Sequence, residues 1–168
     1  MAKRTIRFDP LSPTSVGRAL SRLTQFRDDF MAACDKVLNN LADIGAEYAR
    51  NQISAEGAVF TGHLDASTGA AHVDAQRVAK VYSNADYAAY VEYGTGIWGE
   101  AFPHPDPESV GWQYDIHGHG EGGWVYQNKV DGNYYWTQGY GARPYMYHTK
   151  LYLEGMAPKV TADVFREL

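Results

Sequence analysis

Cysteine is almost missing from this chain: Cys34 stands alone, so no disulfide can close within it and a reducing compartment suits it. Its neighbours Met31, Ala32, Ala33 and Val37 make it read as a small buried hydrophobe rather than a reactive thiol. No apolar run approaches transmembrane length, and the basic start through Lys3 and Arg4 leads into no hydrophobic stretch. Neither a membrane span nor a secretory signal is expected, and synthesis in a cytoplasm is. Also absent are a G-x-S-x-G elbow, a P-loop, C-x-x-C and H-E-x-x-H. Nothing points to catalysis, so the expectation is a protein that is not an enzyme, with no cofactor and no resident metal.

Positive charge is missing locally: residues 86–121 hold seven carboxylates and no Lys or Arg. Residues 1–30 are the reverse, with six basic residues (Lys3, Arg4, Arg7, Arg18, Arg22, Arg27) against Asp9, Asp28 and Asp29. Opposite signs in different parts of one chain suit head-to-tail packing of identical subunits. The overall charge of −5 argues against a broad DNA-binding face, since phosphate neutralisation dominates nucleic-acid affinity.

What is abundant is aromatic surface and glycine: 13 Tyr, 4 Trp and 17 Gly among 168 residues. Tyr and Trp in such number suit interfaces, where one edge is buried and the polar tip stays wet; they also suit a Tyr-rich core. The length fits one domain, 1–168.

Along the chain, 1–12 reads as an extended arm. A long helix over 13–53 is predicted from Val16, Leu20, Leu23, Phe26, Phe30, Cys34, Val37, Leu38, Leu41, Ile44 and Tyr48, spaced by threes and fours, with a possible break near Gly45. Residues 54–71 read as loop. The segment 72–96 reads as a strand or a hairpin arm over Val73–Val81 and a short helical turn at Tyr87–Tyr93, capped by Asn84 or Asp86 and stopped by Gly94. Pro103, Pro105 and Pro107 make 97–123 irregular. Asp131-Gly132 between aromatic runs predicts a hairpin over 124–137, and a last helix follows Pro144 over 144–166, weakened by Gly155 and Pro158. The fold class is therefore α+β: N- and C-terminal helices packed on a small antiparallel sheet, with a long aromatic and acidic loop and a β-hairpin.

Two motifs resemble chemistry. Gly94-Thr95-Gly96-Ile97-Trp98-Gly99 spells the dinucleotide pattern, but prolines follow where a helix should run, and Trp98 sits where backbone should approach phosphate. His117-Gly118-His119 places two imidazoles on one side of an extended chain, with His104, Asp106, Asp115 or Glu121 as further ligands. A metal-dependent hydrolase on His117 and His119 is the alternative of another class; the flanking glycines offer it no rigid support.

Three landmarks are similar to the neck or tail-completion proteins of long-tailed phages, the family named for gene product ten of a lambdoid phage. They are Thr61-Gly62-His63-Leu64, then Tyr87-Ala88-Ala89-Tyr90-Val91-Glu92-Tyr93-Gly94-Thr95, then Arg143-Pro144-Tyr145-Met146. The middle one is the specific one. The chain departs from the family's pattern in having Val59-Phe60 before the first landmark and Asp65 after it.

The resemblance implies a virion protein of the neck that completes the tail and joins it to the head. It would assemble as a ring, about six subunits, around the DNA channel. The alternative within this class is a tail-terminator ring capping the tail tube. Implied partners are further copies of itself and neighbouring head-completion or adaptor and tail-terminator or tail-tube proteins; DNA would pass through without specific binding. Candidate interface residues are Tyr87, Tyr90, Glu92, Tyr93, Trp98, Phe102, Trp112, Tyr114 and Arg143. For the middle motif, fold stabilisation and partner contact both remain open readings, with Glu92 as a cap or an ion-pair partner.

Overall fold

The computed structural model describes residues 5–58, 62–114, 122–128 and 131–167. Helix α1 spans Pro13–Ala55; Ser12 is its N-cap and accepts the N–H of Ser15, and Pro13 occupies the first turn, where a missing N–H costs nothing. It is not broken at Gly45.

Helix α5, Tyr145–Arg166, also runs without interruption past Gly155 and Pro158, and packs antiparallel on the C-terminal part of α1. The register is given by four pairs: Phe30 with Phe165, Lys36 with Glu167, Tyr48 with Tyr152, and Glu56 with His148. Between the helices Ala33 and Val37 bury against Val160 and Val164, flanked by Leu41 and Ile44. The α1 surface at this seam is made of small residues, with Ala42, Gly45, Ala46 and Ala49 all buried. A Cβ at Gly45 would stand 2.7 Å from Val81 and 2.8 Å from Leu153, so both the helix and a strand close on that glycine.

Among the described residues, four short strands form two two-stranded antiparallel sheets, a small sheet and a hairpin as expected. The first pairs β1 (Thr68–Ala71) with β2 (Lys80–Ser83) in the register Thr68↔Ser83. It lies on α1, where Arg50 donates to the Thr68 carbonyl and Asn39 accepts the Val73 N–H. The stretch expected to be loop thus contains a five-residue helix α2 (His63–Ser67) and β1. Conversely, residues 72–79 connect β1 to β2 outside any strand, with a turn at Ala75 and Gln76. The Asp74 carboxylate accepts the N–H groups of Gln76 and Val78, and Arg77 takes a positive φ. That local side-chain bonding competes with a ladder and wins.

Helix α3 (Ala88–Tyr93) follows. Neither Asn84 nor Asp86 caps it; Tyr87 takes that place without a side-chain bond, and Gly94 ends it at φ 78°. The segment expected to be irregular opens with a helix, α4 (Gly96–Ala101), and carries a 3₁₀ turn at Glu108–Val110. The second sheet is the hairpin β3 (Trp124–Gln127) and β4 (Tyr134–Thr137), paired Trp124↔Thr137. A last short strand, β5 (Gly139–Tyr140), bridges to Thr95 and Gly96. Cys34 is half-buried rather than buried.

Candidate functional site

The end of the molecule where α1 finishes and α5 begins gathers the three sequence landmarks. Leu64, 1% exposed, sits in a core with Ala49, Ile53, Ala58, Ala85, Val91 and Tyr145. Tyr87, Ala88 and Met146 pack against it. Each landmark therefore contributes a side chain to one cluster; Thr61 lies outside the described residues.

Glu92 is the joint between the second and third landmarks. It is 6% exposed. Its Oε2 accepts the N–H of Met146 and its Oε1 the N–H of Tyr147, both at 2.8 Å. These are orphan donors of the first turn of α5, whose own N-cap is Pro144 and offers no side-chain bond. A carboxylate there meets both the free donors and the positive end of the helix. Glu92 is thus a cap, of a helix remote in sequence.

His104, 4% exposed, completes the arrangement at 3.2 Å from Glu92 Oε1. The Asp106 N–H donates to its Nδ1, which leaves the proton on Nε2, facing Glu92. Burial pushes the Glu92 carboxyl above the usual carboxylate range, against the pull of the two backbone donors and His104. Sequence reading placed His104 only as a possible metal ligand. Its partnership with Glu92 crosses a proline-rich loop and leaves no periodic trace.

The rest of the motif locks the same corner. The Arg143 N–H donates to the Val91 carbonyl, and its guanidinium lies 5.8 Å from the Tyr140 ring centre. Trp112 stacks on Tyr93 at 5.1 Å, meets Tyr90 edge-on at 5.7 Å, and donates from Nε1 to the Gly94 carbonyl. Tyr114 Oη accepts the His104 N–H. Tyr87, Tyr93, Trp112, Tyr114 and Arg143 are half-buried, so they clamp the loop onto α3 as well as reach the surface. Tyr90 is exposed, while its neighbour Val91 is buried in the core.

Trp98 and Phe102 do something else. They stack on each other at 5.7 Å on α4 and remain 46% and 59% exposed, with exposed Glu100 between them in the sequence. The glycine pattern beside them is explained by packing. A Cβ at Gly94 would stand 2.7 Å from the Ala142 nitrogen, at Gly96 2.6 Å from the Gln138 oxygen, and at Gly99 2.8 Å from the Tyr114 ring. The room left by the absent side chains is filled by the chain's own atoms, where a dinucleotide would need it for phosphate.

His117 and His119, with Asp115 and Glu121, lie outside the described residues. Among the described residues no group of three His, Cys, Asp or Glu side chains stands close enough to hold a metal ion, and no helix is long and apolar enough to cross a membrane.

No curated protein and no solved structure matches the chain. A family model does, over residues 16–94, and its description is "Bacteriophage HK97-gp10, putative tail-component". The matched stretch runs from the first turn of α1 to the glycine that ends α3, and includes Tyr87–Gly94 of the second landmark, Glu92 among them. Over residues 16–94 the chain is thus similar to the HK97-gp10-like family, described as a putative bacteriophage tail component.

Proposed function

We propose that this chain is a structural subunit of the phage neck that completes the tail and joins it to the head, assembling as a ring around the DNA channel. The observation that carries this reading is the joint at Glu92. The three landmarks meet in one corner, where Glu92 of the second holds α3 against α5 through the backbone N–H groups of Met146 and Tyr147. That corner carries an aromatic, carboxylate-rich surface, of the composition that anchors subunits. Tyr90, Trp98 and Phe102 are the exposed contact residues in this reading; Tyr87, Tyr93, Trp112, Tyr114 and Arg143 support them, and Glu92 positions them from beneath.

The partners are further copies of this chain and the neighbouring adaptor, terminator or tail-tube proteins, and the location is the virion. With a charge of −5 the ring lets DNA slide without gripping it. Native mass and negative-stain imaging of the purified protein test the assembly: closed rings of about six subunits are expected. Retention of duplex DNA at physiological salt would contradict the channel reading.

A further inference from the structure

Helix α1 is far longer than its cover. At 43 residues it extends about 65 Å, against about 33 Å for the 22 residues of α5. The cover ends where Phe165 meets Phe30. The apolar stripe does not end there: it continues through Phe26, Leu23 and Leu20, which are 43%, 53% and 58% exposed. Advancing about 100° per residue, Leu23, Phe26 and Phe30 fall within about 60° of one another. Arg18 and Arg22 lie along one border of that stripe, beside Phe26, and both are exposed. Arg27 is occupied by Asp28.

An apolar stripe bordered by cations needs an aromatic or aliphatic surface with carboxylates. The chain presents one at its other end: the exposed Trp98–Phe102 stack with Glu100, in a stretch free of Lys and Arg. The two surfaces cannot meet within one subunit. The α1 overhang precedes Phe30, while α4 is tied to Gln138 and Ala142, next to the start of α5. That start lies beside the C-terminal end of α1, about 37 Å farther along the helix than Phe30.

We infer that residues 18–30 of α1 dock on the Trp98–Phe102 face of a second copy of this chain, Arg18 and Arg22 facing Glu100. The contact joins different surfaces on the two copies, so it is heterologous and repeats from subunit to subunit. It rests on the ring reading above and names the surfaces that make the ring.

The test places the photo-crosslinking residue benzoylphenylalanine at Leu23 and maps the adduct; in parallel, self-association is measured for Arg18→Glu/Arg22→Glu with and without Glu100→Arg. An adduct within 98–112 of another copy is expected, with association weakened about tenfold by the first pair and recovered in the triple variant. If the wild type forms rings but the adduct falls on α1 or the hairpin, or association is unmoved by charge reversal, this contact is wrong and the ring reading survives. A wild type that stays monomeric at every concentration overturns both. The crosslink keeps the test decisive should the charge variants fail to fold.

Discussion

Glu92 and Met146 are 54 residues apart in the sequence and 2.8 Å apart in space, carboxylate to amide. With the Tyr147 bond beside it, this contact starts α5 and fastens α3 to it. Truncation by Glu92→Ala would strand two helix donors and His104, and should cost about 2–4 kcal/mol. Chemical denaturation of the purified variant reads that loss. A cost near zero would mean that water replaces the cap.

The same carboxyl makes stability depend on pH. Its pKa is raised in the fold by burial, so the folded state holds the proton more tightly than the unfolded chain. The contribution is fully present below the ordinary value near 4.5 and is lost as pH rises through the raised one. Glu92→Gln cannot titrate. The wild type should therefore lose ground relative to it as pH climbs above about 4.5 and through the raised value; Tm measured for both over that rise, with a constant difference, would refute the assignment.

Tyr145 adds an alkaline limit. Burial pushes its phenol to about 12. Its raised pKa favours the folded state below the usual tyrosine value of about 10, and that advantage disappears as pH rises through about 12. In a spectrophotometric titration Tyr145 should ionise only near pH 12 or with unfolding, and Tyr145→Phe should remove that step.

Two glycines of α1 should respond in opposite ways. A side chain at Gly17 meets nothing within 4 Å, so Gly17→Ala should stabilise the helix by up to about 1 kcal/mol. Gly45 is closed in by Val81 and Leu153, so Gly45→Leu should destabilise by about 2–4 kcal/mol through overpacking. Thermal melts of the two variants separate the effects.

Gly94 tests the corner itself. It takes φ 78°, and a Cβ there would stand 2.7 Å from a backbone nitrogen that cannot rotate away. Gly94→Ala should lose about 2–4 kcal/mol from conformation and clash together. Equilibrium unfolding of this variant checks it.

The long-range order of these contacts explains what was readable. The threes and fours of α1, the Asp131-Gly132 turn and the start of α5 after Pro144 are local signals, and each element appears where they place it. Strand β1 was not readable: Thr68-Gly69-Ala70-Ala71 has little intrinsic strand preference, and it pairs because Arg50 and the α1 surface hold it beside β2. Helix α4 was hidden by the prolines that follow it, which end the helix at Phe102 but do not prevent it.

By itself, then, the sequence determined the amphipathic helices, the hairpin and the three landmarks, because periodicity and turn chemistry act between neighbours in the chain. Only the tertiary structure decided that Glu92 caps α5, that His104 stands behind it, and that the stripe of α1 outruns its cover at Phe30. Those outcomes depend on which distant segments meet and where one helix stops along another. No local pattern encodes that, since capping and burial are satisfied by whatever donor or apolar surface the fold brings within reach.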